Sequence, residues 1–431
     1  MQVEFYLIDP VEVLHFAAVV RALVGMGVDA YFVLRRGDTS TMQLGLYSTD
    51  ADVAETLIKR LQLHFAPFPN PNADIALTIH NGRILRDYRK LRARMMYGVG
   101  LVSPEYYSSG MSVGFDLYLV HGEFSRQPSM QFLHHTVPSA PLPPGQVRTI
   151  GYPRFDAWFN NPPNAQLIRA KYEMNPHKPA ILYLPTWQYR SSVDTFADAI
   201  FTLSERFEIF VKPHHCTYRL EPERIRNLSS GPVRMLESTT PPEEAFAVAD
   251  IVISDVSSGA LTEAILLNKK VVCLARRDEV EHLLLPEIKQ HIAICGAPEK
   301  LSQSISEALT LGTRPQQIQK LRRYMFDTTE GDDAVRAARA IIEFTDQRPR
   351  RLWSTMRTDL RWRGQCLGEM ARGALPEGIK RPARALRDRL RRRKSCKNLA
   401  CLLRRLRSSL VSQKISRRED VSKRSTCDSG R

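Results

Sequence analysis

Cysteine is scarce in this chain: there are seven in 431 residues, and the nearest pair is Cys396 and Cys401. An odd and scattered set supplies neither a disulfide framework nor the paired spacing of a zinc site. A reducing, cytoplasmic setting is the simplest expectation, with no metal and no cofactor. Long apolar runs are also missing, since none approaches the ~18 residues of a membrane span. The opening residues, MQVEFYLIDP, carry no basic n-region and no apolar h-region, so a signal peptide is not expected and a first strand is. What remains is ordinary for a globular protein, with 43% hydrophobic and 25% charged residues. The length suits two or three domains.

The formal charge of +16 is unevenly placed. Residues 347–431 hold 26 Lys/Arg against 7 Asp/Glu, while residues 1–346 hold 36 against 39. The globular part is therefore nearly neutral and the tail strongly basic. Between Pro382 and Val411, Leu386, Leu390, Leu399, Leu402, Leu403, Leu406 and Leu410 recur at helical spacing among Arg and Lys. A basic amphipathic helix of this kind suits an anionic membrane surface, and the protein would then sit peripherally on its cytoplasmic face. The alternative is a partly disordered extension that binds nucleic acid without sequence specificity. The leucines favour the membrane.

Ahead of the tail, strand and helix patterns alternate. In residues 1–150 strands are expected at Val3–Ile8, Ala30–Leu34, Ile75–Ile79, Arg94–Tyr97 and Phe115–Val120, and a short one running to Ile150, with helices at Val11–Val24 and near Val53–Leu63. In residues 151–346 strands are expected at Ala180–Leu184, Glu208–Val211, Val233–Leu236, Ile251–Ser254 and Val271–Leu274, followed by three closing helices. Alternating βα units imply parallel sheets covered on both faces. The expected fold is α/β: two doubly wound domains, 1–150 and 151–346, facing a cleft at the carboxyl ends of their strands.

The most informative stretch runs from Asp250 to Leu274, DIVISDVSSGALTEAILLNKKVVCL. It reads as strand, turn, helix and strand, with Ser257, Ser258 and Gly259 where the helix opens. The first N–H groups of a helix lack internal partners and lie at the positive end of its dipole, so this is a place for phosphate. Glu263, one turn on, could accept from ribose hydroxyls. Ser-Ser-Gly before a helix is also a common N-cap and nothing more. Three further segments end strands or join domains: Gly151-Tyr152-Pro153-Arg154-Phe155-Asp156, Leu184-Pro185-Thr186-Trp187 and Val211-Lys212-Pro213-His214-His215.

GYPRFD, YLPTW, VKPHH and DVSSG…E occur in the order seen in CDP-glycerol glycerophosphotransferases, the teichoic-acid polymerase family of GT-B fold. Residues 145–345 resemble that family, and Phe326-Asp327 with Gly331-Asp332 and Arg336 loosely matches its closing segment. SSGALTEA is also similar to the nucleotide-binding helix of UDP-N-acetylglucosamine 2-epimerases. The resemblance implies a nucleotide-diphosphate donor held by Arg154, Thr186, Lys212, His214, Asp255, Ser257, Ser258, Gly259 and Glu263, and a glycan or lipid-linked acceptor in the first domain. It implies catalytic roles for His214 and for a His-Gly pair after an N-terminal strand. Two departures stand out. A second histidine, His215, replaces the proline of the family's K-x-H-P segment. Tyr97 stands where the His of His-Gly is expected, and a phenol is a poor base at neutral pH. The literal pair, His121-Gly122, lies 29 residues before GYPR, closer than the family's spacing, and Tyr97 and His121 both stand as candidates for the catalytic place. Three readings therefore stay open: a transferase, a UDP-sugar 2-epimerase-like enzyme, and a GT-B protein that keeps the nucleotide site without the base.

Overall fold

The computed structural model describes residues 1–34, 51–79, 82–85, 88, 90–96, 115–126, 145–256, 259–275, 286–311 and 315–347. The chain divides into two units, Met1–Asp359 and Leu360–Arg431. The second unit, with the leucine-bearing tail, lies outside the described residues, as do Tyr97, Ser257 and Ser258.

Two parallel sheets build the first unit. The N-terminal sheet contains β1 (Gln2–Tyr6), β2 (Asp29–Val33), β3 (Phe65–Ala66), β4 (Ile75–Thr78), β5 (Leu91–Met95), β6 (Leu117–Val120) and β7 (Val147–Thr149). Their order is β3-β2-β1-β4-β5-β6-β7. The second sheet contains β8 (Ala180–Leu184), β9 (Glu208–Val211), β10 (Arg234–Met235), β11 (Ile251–Asp255), β12 (Lys270–Leu274) and β13 (Ala293–Cys295), in the order β10-β9-β8-β11-β12-β13. The central strands are apolar at almost every position and buried at every one, IALT in β4, AILYL in β8 and IVISD in β11. This is what a parallel strand with helices on both faces requires. Each sheet changes direction once, at β1/β4 and at β8/β11, and such switch points are where doubly wound sheets hold ligands.

The helix α1 (Glu12–Gly25) follows β1 and lays Phe16, Val19, Val20 and Leu23 against Phe5 and Phe32 of the sheet. The last described helix, Asp333–Gln347, belongs to the second half by chain order but packs in this first core. Ala334, Ala337, Ile341 and Phe344 join the same cluster. Burying Ile341 and Phe344 stabilises the crossing by roughly 1.5–3 kcal/mol each.

GYPRFD is the clamp for that return. Asp156 accepts from the N–H groups of Asp333 (3.2 Å) and Ala334 (2.7 Å), closing the orphan donors at the helix start. Asp333 in turn accepts from the Tyr152 N–H at 2.7 Å. Gly151 adopts φ +75°, and a Cβ there would lie 2.1 Å from the Asp333 carboxylate. Asn160 Nδ2 donates to the Gly331 carbonyl at 2.6 Å, and Arg336 pairs with Asp327. The GYPRFD segment and the closing segment are thus two halves of one joint between the sheets.

Candidate functional site

Three loops leave the carboxyl ends of β8, β9 and β11 on one edge of the second sheet. They are tied to one another by backbone bonds. Lys212 N–H donates to the Tyr183 carbonyl (3.0 Å) and His214 N–H to the Pro185 carbonyl (3.2 Å). Asp255, at the end of β11, accepts from the N–H groups of Thr186 (2.7 Å) and Ser192 (3.3 Å). Asp255 and Thr186 are both buried, so this carboxylate shapes the switch point from behind.

Arg154, Lys212, His214, Gly259 and Glu263 surround a cavity of about 140 Å³, whose opposite wall includes His15 of α1. Of the residues expected to hold a donor, these five converge. Thr186 and Asp255 lie behind them.

Glu263 Oε1 accepts from the Tyr152 hydroxyl at 2.7 Å and from Arg154 Nη1 at 2.9 Å. The ion pair is largely enclosed, with side-chain exposures of 11% and 9%. Arg154 Nη1 also lies 3.0 Å from His15 Nε2, which makes that nitrogen the unprotonated one. Burial, then Arg154, His121 and His215, hold His15 well below the ordinary histidine value. The Gly259–Leu266 helix begins at the cavity, and a Cβ on Gly259 would meet nothing within 4 Å. A ligand can approach that helix start closely.

Lys212 donates to the Ser238 carbonyl at 2.9 Å, which leaves two of its three N–H donors for a ligand. Burial first, then the Arg154 charge, bring its pKa down to about 8. His214 caps the His215–Leu220 helix, its Nδ1 accepting from Cys216 N–H at 3.2 Å. The proton therefore sits on Nε2, and burial keeps the ring neutral. Trp187 stacks on it at 5.6 Å with an interplanar angle of 10°. The tryptophan of YLPTW fixes the histidine of VKPHH. His214 is thus a neutral donor rather than a cation.

His214, His215 and Cys216 bring one ligating atom each within 4.8 Å of one another. They form a cap and a wall rather than a metal set. The His214 Nδ1 is already engaged, and burial pushes the Cys216 thiol up to about 12.

His121 is 1% exposed and lies edge-on to Tyr152 at 4.7 Å. Burial lowers its pKa to about 3. The Gly122 beside it faces the Met325 backbone so closely that a Cβ would stand at 2.6 Å. The His-Gly pair is enclosed in the joint between the sheets. Tyr152, His15 and Asp9 were not singled out from sequence. Tyr152 sits inside a motif without an obvious role, and His15 lies in the apolar pattern of a helix. Asp9 follows a strand with no motif around it.

Residues 141–272 match the family model described as CDP-Glycerol:Poly(glycerophosphate) glycerophosphotransferase. The chain resembles that family. Among solved structures, the wall teichoic acid polymerase TagF soaked with CDPG matches at TM-score 0.54 and 13% identity, covering 80% of this chain and 89% of that one. A putative UDP-N-acetylglucosamine 2-epimerase from Listeria monocytogenes matches at TM-score 0.55 and 14% identity, covering 81% and 98%. The UDP-GlcNAc 2-epimerase from Neisseria meningitidis, bound to UDP-GlcNAc, matches at 0.52 and 13%, covering 80% and 100%. No curated protein matches the chain by sequence. The fold is α/β and GT-B-like, with two parallel sheets as in TagF. Among the described residues, no helix is long and apolar enough to cross a membrane.

Proposed function

We propose that this protein is a GT-B transferase that moves a phosphoalditol from a CDP-linked donor to a hydroxyl of a cell-surface glycan or lipid-linked acceptor. The observation that carries the reading is the convergence of Lys212, His214 and the open helix start at Gly259 on one cavity at the β8/β11 switch point. A nucleotide diphosphate brings anionic oxygens that match an ammonium, an imidazole N–H and the positive end of a helix dipole. Ser257 and Ser258 would add hydroxyl donors beside Gly259. Glu263, with Oε1 held by Tyr152 and Arg154, would present its other oxygen to the ribose. As CMP departs, these donors would stabilise the charge that develops on its phosphate, which is electrostatic catalysis by preorganised groups. The family match over residues 141–272 supports cytidine as the base and a glycerophosphate-like group as the cargo. The basic segment 347–431 would hold the protein to an anionic membrane surface on the cytoplasmic side, where such acceptors would be met.

Product analysis tests this. With CDP-glycerol and a glycan or lipid-linked acceptor, CMP release should depend on the acceptor and match its gain in mass. Epimerisation of a UDP-sugar with no acceptor present, without CMP release, would replace this reading by the epimerase one.

A further inference from the structure

A second cavity, of about 220 Å³, lies beside the first. Its walls come from α1 (Leu14), the Ala51–Arg60 helix (Val53, Leu57) and the second domain (Arg219, Thr239), with Asp9 at one end. Val11, His215 and Ser238 line both cavities. His215 is therefore the titratable side chain in their common wall. Its Nε2 lies 3.4 Å from Asp9 Oδ2, a carboxylate from the loop that follows β1 in the other domain. Asp9 is 4% exposed, and its Oδ1 accepts from Val11 N–H at 3.0 Å, so the carboxylate is held in place.

We propose that His215, oriented by Asp9, is the base that activates the acceptor hydroxyl, and that the 220 Å³ cavity holds that acceptor as a hydroxyl-bearing alditol or sugar phosphate. This rests on the transferase reading above. With Nε2 facing Asp9, Nδ1 is the atom left to take a proton, and Asp9 stabilises the imidazolium that forms. The acceptor oxygen forms a bond to the donor phosphorus. The bond from that phosphorus to the CMP oxygen breaks, its electron pair leaves with CMP, and the hydroxyl proton moves to His215. Nothing else is consumed. Arg219, in the same wall, offers a cation to the acceptor's phosphate.

The position is unusual in a way that fits this role. By the sequence resemblance His215 takes the place of a proline, and Tyr97 that of the expected base. One departure supplies what the other removes.

Burial, then Arg219, Lys212 and Arg154, lower the His215 pKa to about 3. The ring is thus neutral and its lone pair free of a proton. A bound diphosphate places negative charge beside Lys212 and Arg154 and offsets the field that depresses it. The groups facing His215 are then Asp9, Arg219, Lys212, Arg154 and the neutral His214 and His15. The base gains proton affinity when the donor is in place, while the larger contribution, burial, stays.

His215→Pro is the first test, because residue 215 opens a helix and proline is well tolerated at that first position. The full-length variant should bind CDP in calorimetry within about threefold of wild type, while its kcat falls on the order of 10²–10⁴-fold. Asp9→Asn should lower kcat by about 10²-fold with the donor KM unchanged, and Asp9→Glu should restore part of the loss. Wild-type kcat should rise with pH along an acid limb that His215→Pro abolishes. Full transfer activity in His215→Pro, with CDP bound normally, would overturn this proposal and leave the donor site standing. Failure of wild type to bind CDP would instead remove the transferase reading beneath it.

Discussion

Gly151→Ala should destabilise the fold by about 3 kcal/mol, read as a fall in the thermal or denaturant midpoint. Two costs combine. A φ of +75° is poorly tolerated by any residue with a side chain, and the new Cβ would stand 2.1 Å from the Asp333 carboxylate. That carboxylate cannot retreat without giving up the Tyr152 N–H and disturbing the Asp156 cap. The double variant Gly151→Ala/Asp333→Ala should therefore lose less than the sum of the single changes, since the clash disappears with the acid. A wild-type midpoint in Gly151→Ala would show that the joint is not where stability is concentrated.

The same joint should be sensitive to pH. Burial, then the neighbouring Asp156 carboxylate, raise Asp333 to about 8, above its value of about 3.9 in an unfolded chain. A raised carboxyl pKa gives stability that is fully present below the unfolded value and lost as pH climbs through the folded one. The protein should lose stability between about pH 4 and pH 8 from this group. Asp333→Asn, which keeps an acceptor for Tyr152 N–H, should flatten that slope.

The second large effect belongs to Lys212. Among the described residues lining the donor cavity, its ammonium is the cation that makes no ion pair, whereas Arg154 already serves Glu263. Removing Arg154 would strand a buried carboxylate and mix folding with function. Lys212→Ala is the cleaner probe, and acceptor-dependent CMP release should fall by roughly 10²–10³-fold with the fold intact. The pH dependence follows from the lowered pKa of about 8. The free site loses its cation as pH rises through that value, so donor affinity should weaken above about pH 8. Lys212→Ala should show no such decline. Equal decline in both would assign it elsewhere.

The sequence made the frame legible because parallel buried strands leave continuous apolar runs. The expected Ala180–Leu184 and Glu208–Val211 strands are β8 and β9 to the residue. Other strands shift by a residue or a few, where polar ends such as Gln2 and Asp29 join the ladder. The misses, Phe65–Ala66 and Ala293–Cys295, are edge strands too short to show a pattern. They exist because β2 and β12 offer them a ladder.

In the site, motif order brings Lys212, His214, Gly259 and Glu263 to one cavity, since each follows a strand of one parallel sheet. It could not separate ligand-facing from supporting residues. The Asp255 carboxylate accepts from the Thr186 N–H, a relation set by adjacent strands and joining residues 69 positions apart in the chain. Nor could it show Asp9 beside His215, because that pair crosses from one sheet to the other. His15 was hidden in HFAAVV, where a histidine reads as one more core position.

The most direct measurement is a crystal structure of the full chain with CDP. The diphosphate should lie within about 3 Å of Lys212 Nζ and His214 Nε2, at the open start of the Gly259 helix, with the ribose toward Glu263. Nucleotide bound elsewhere, or a cavity left empty at saturating CDP, would contradict the donor site from which the proposed transfer chemistry is built.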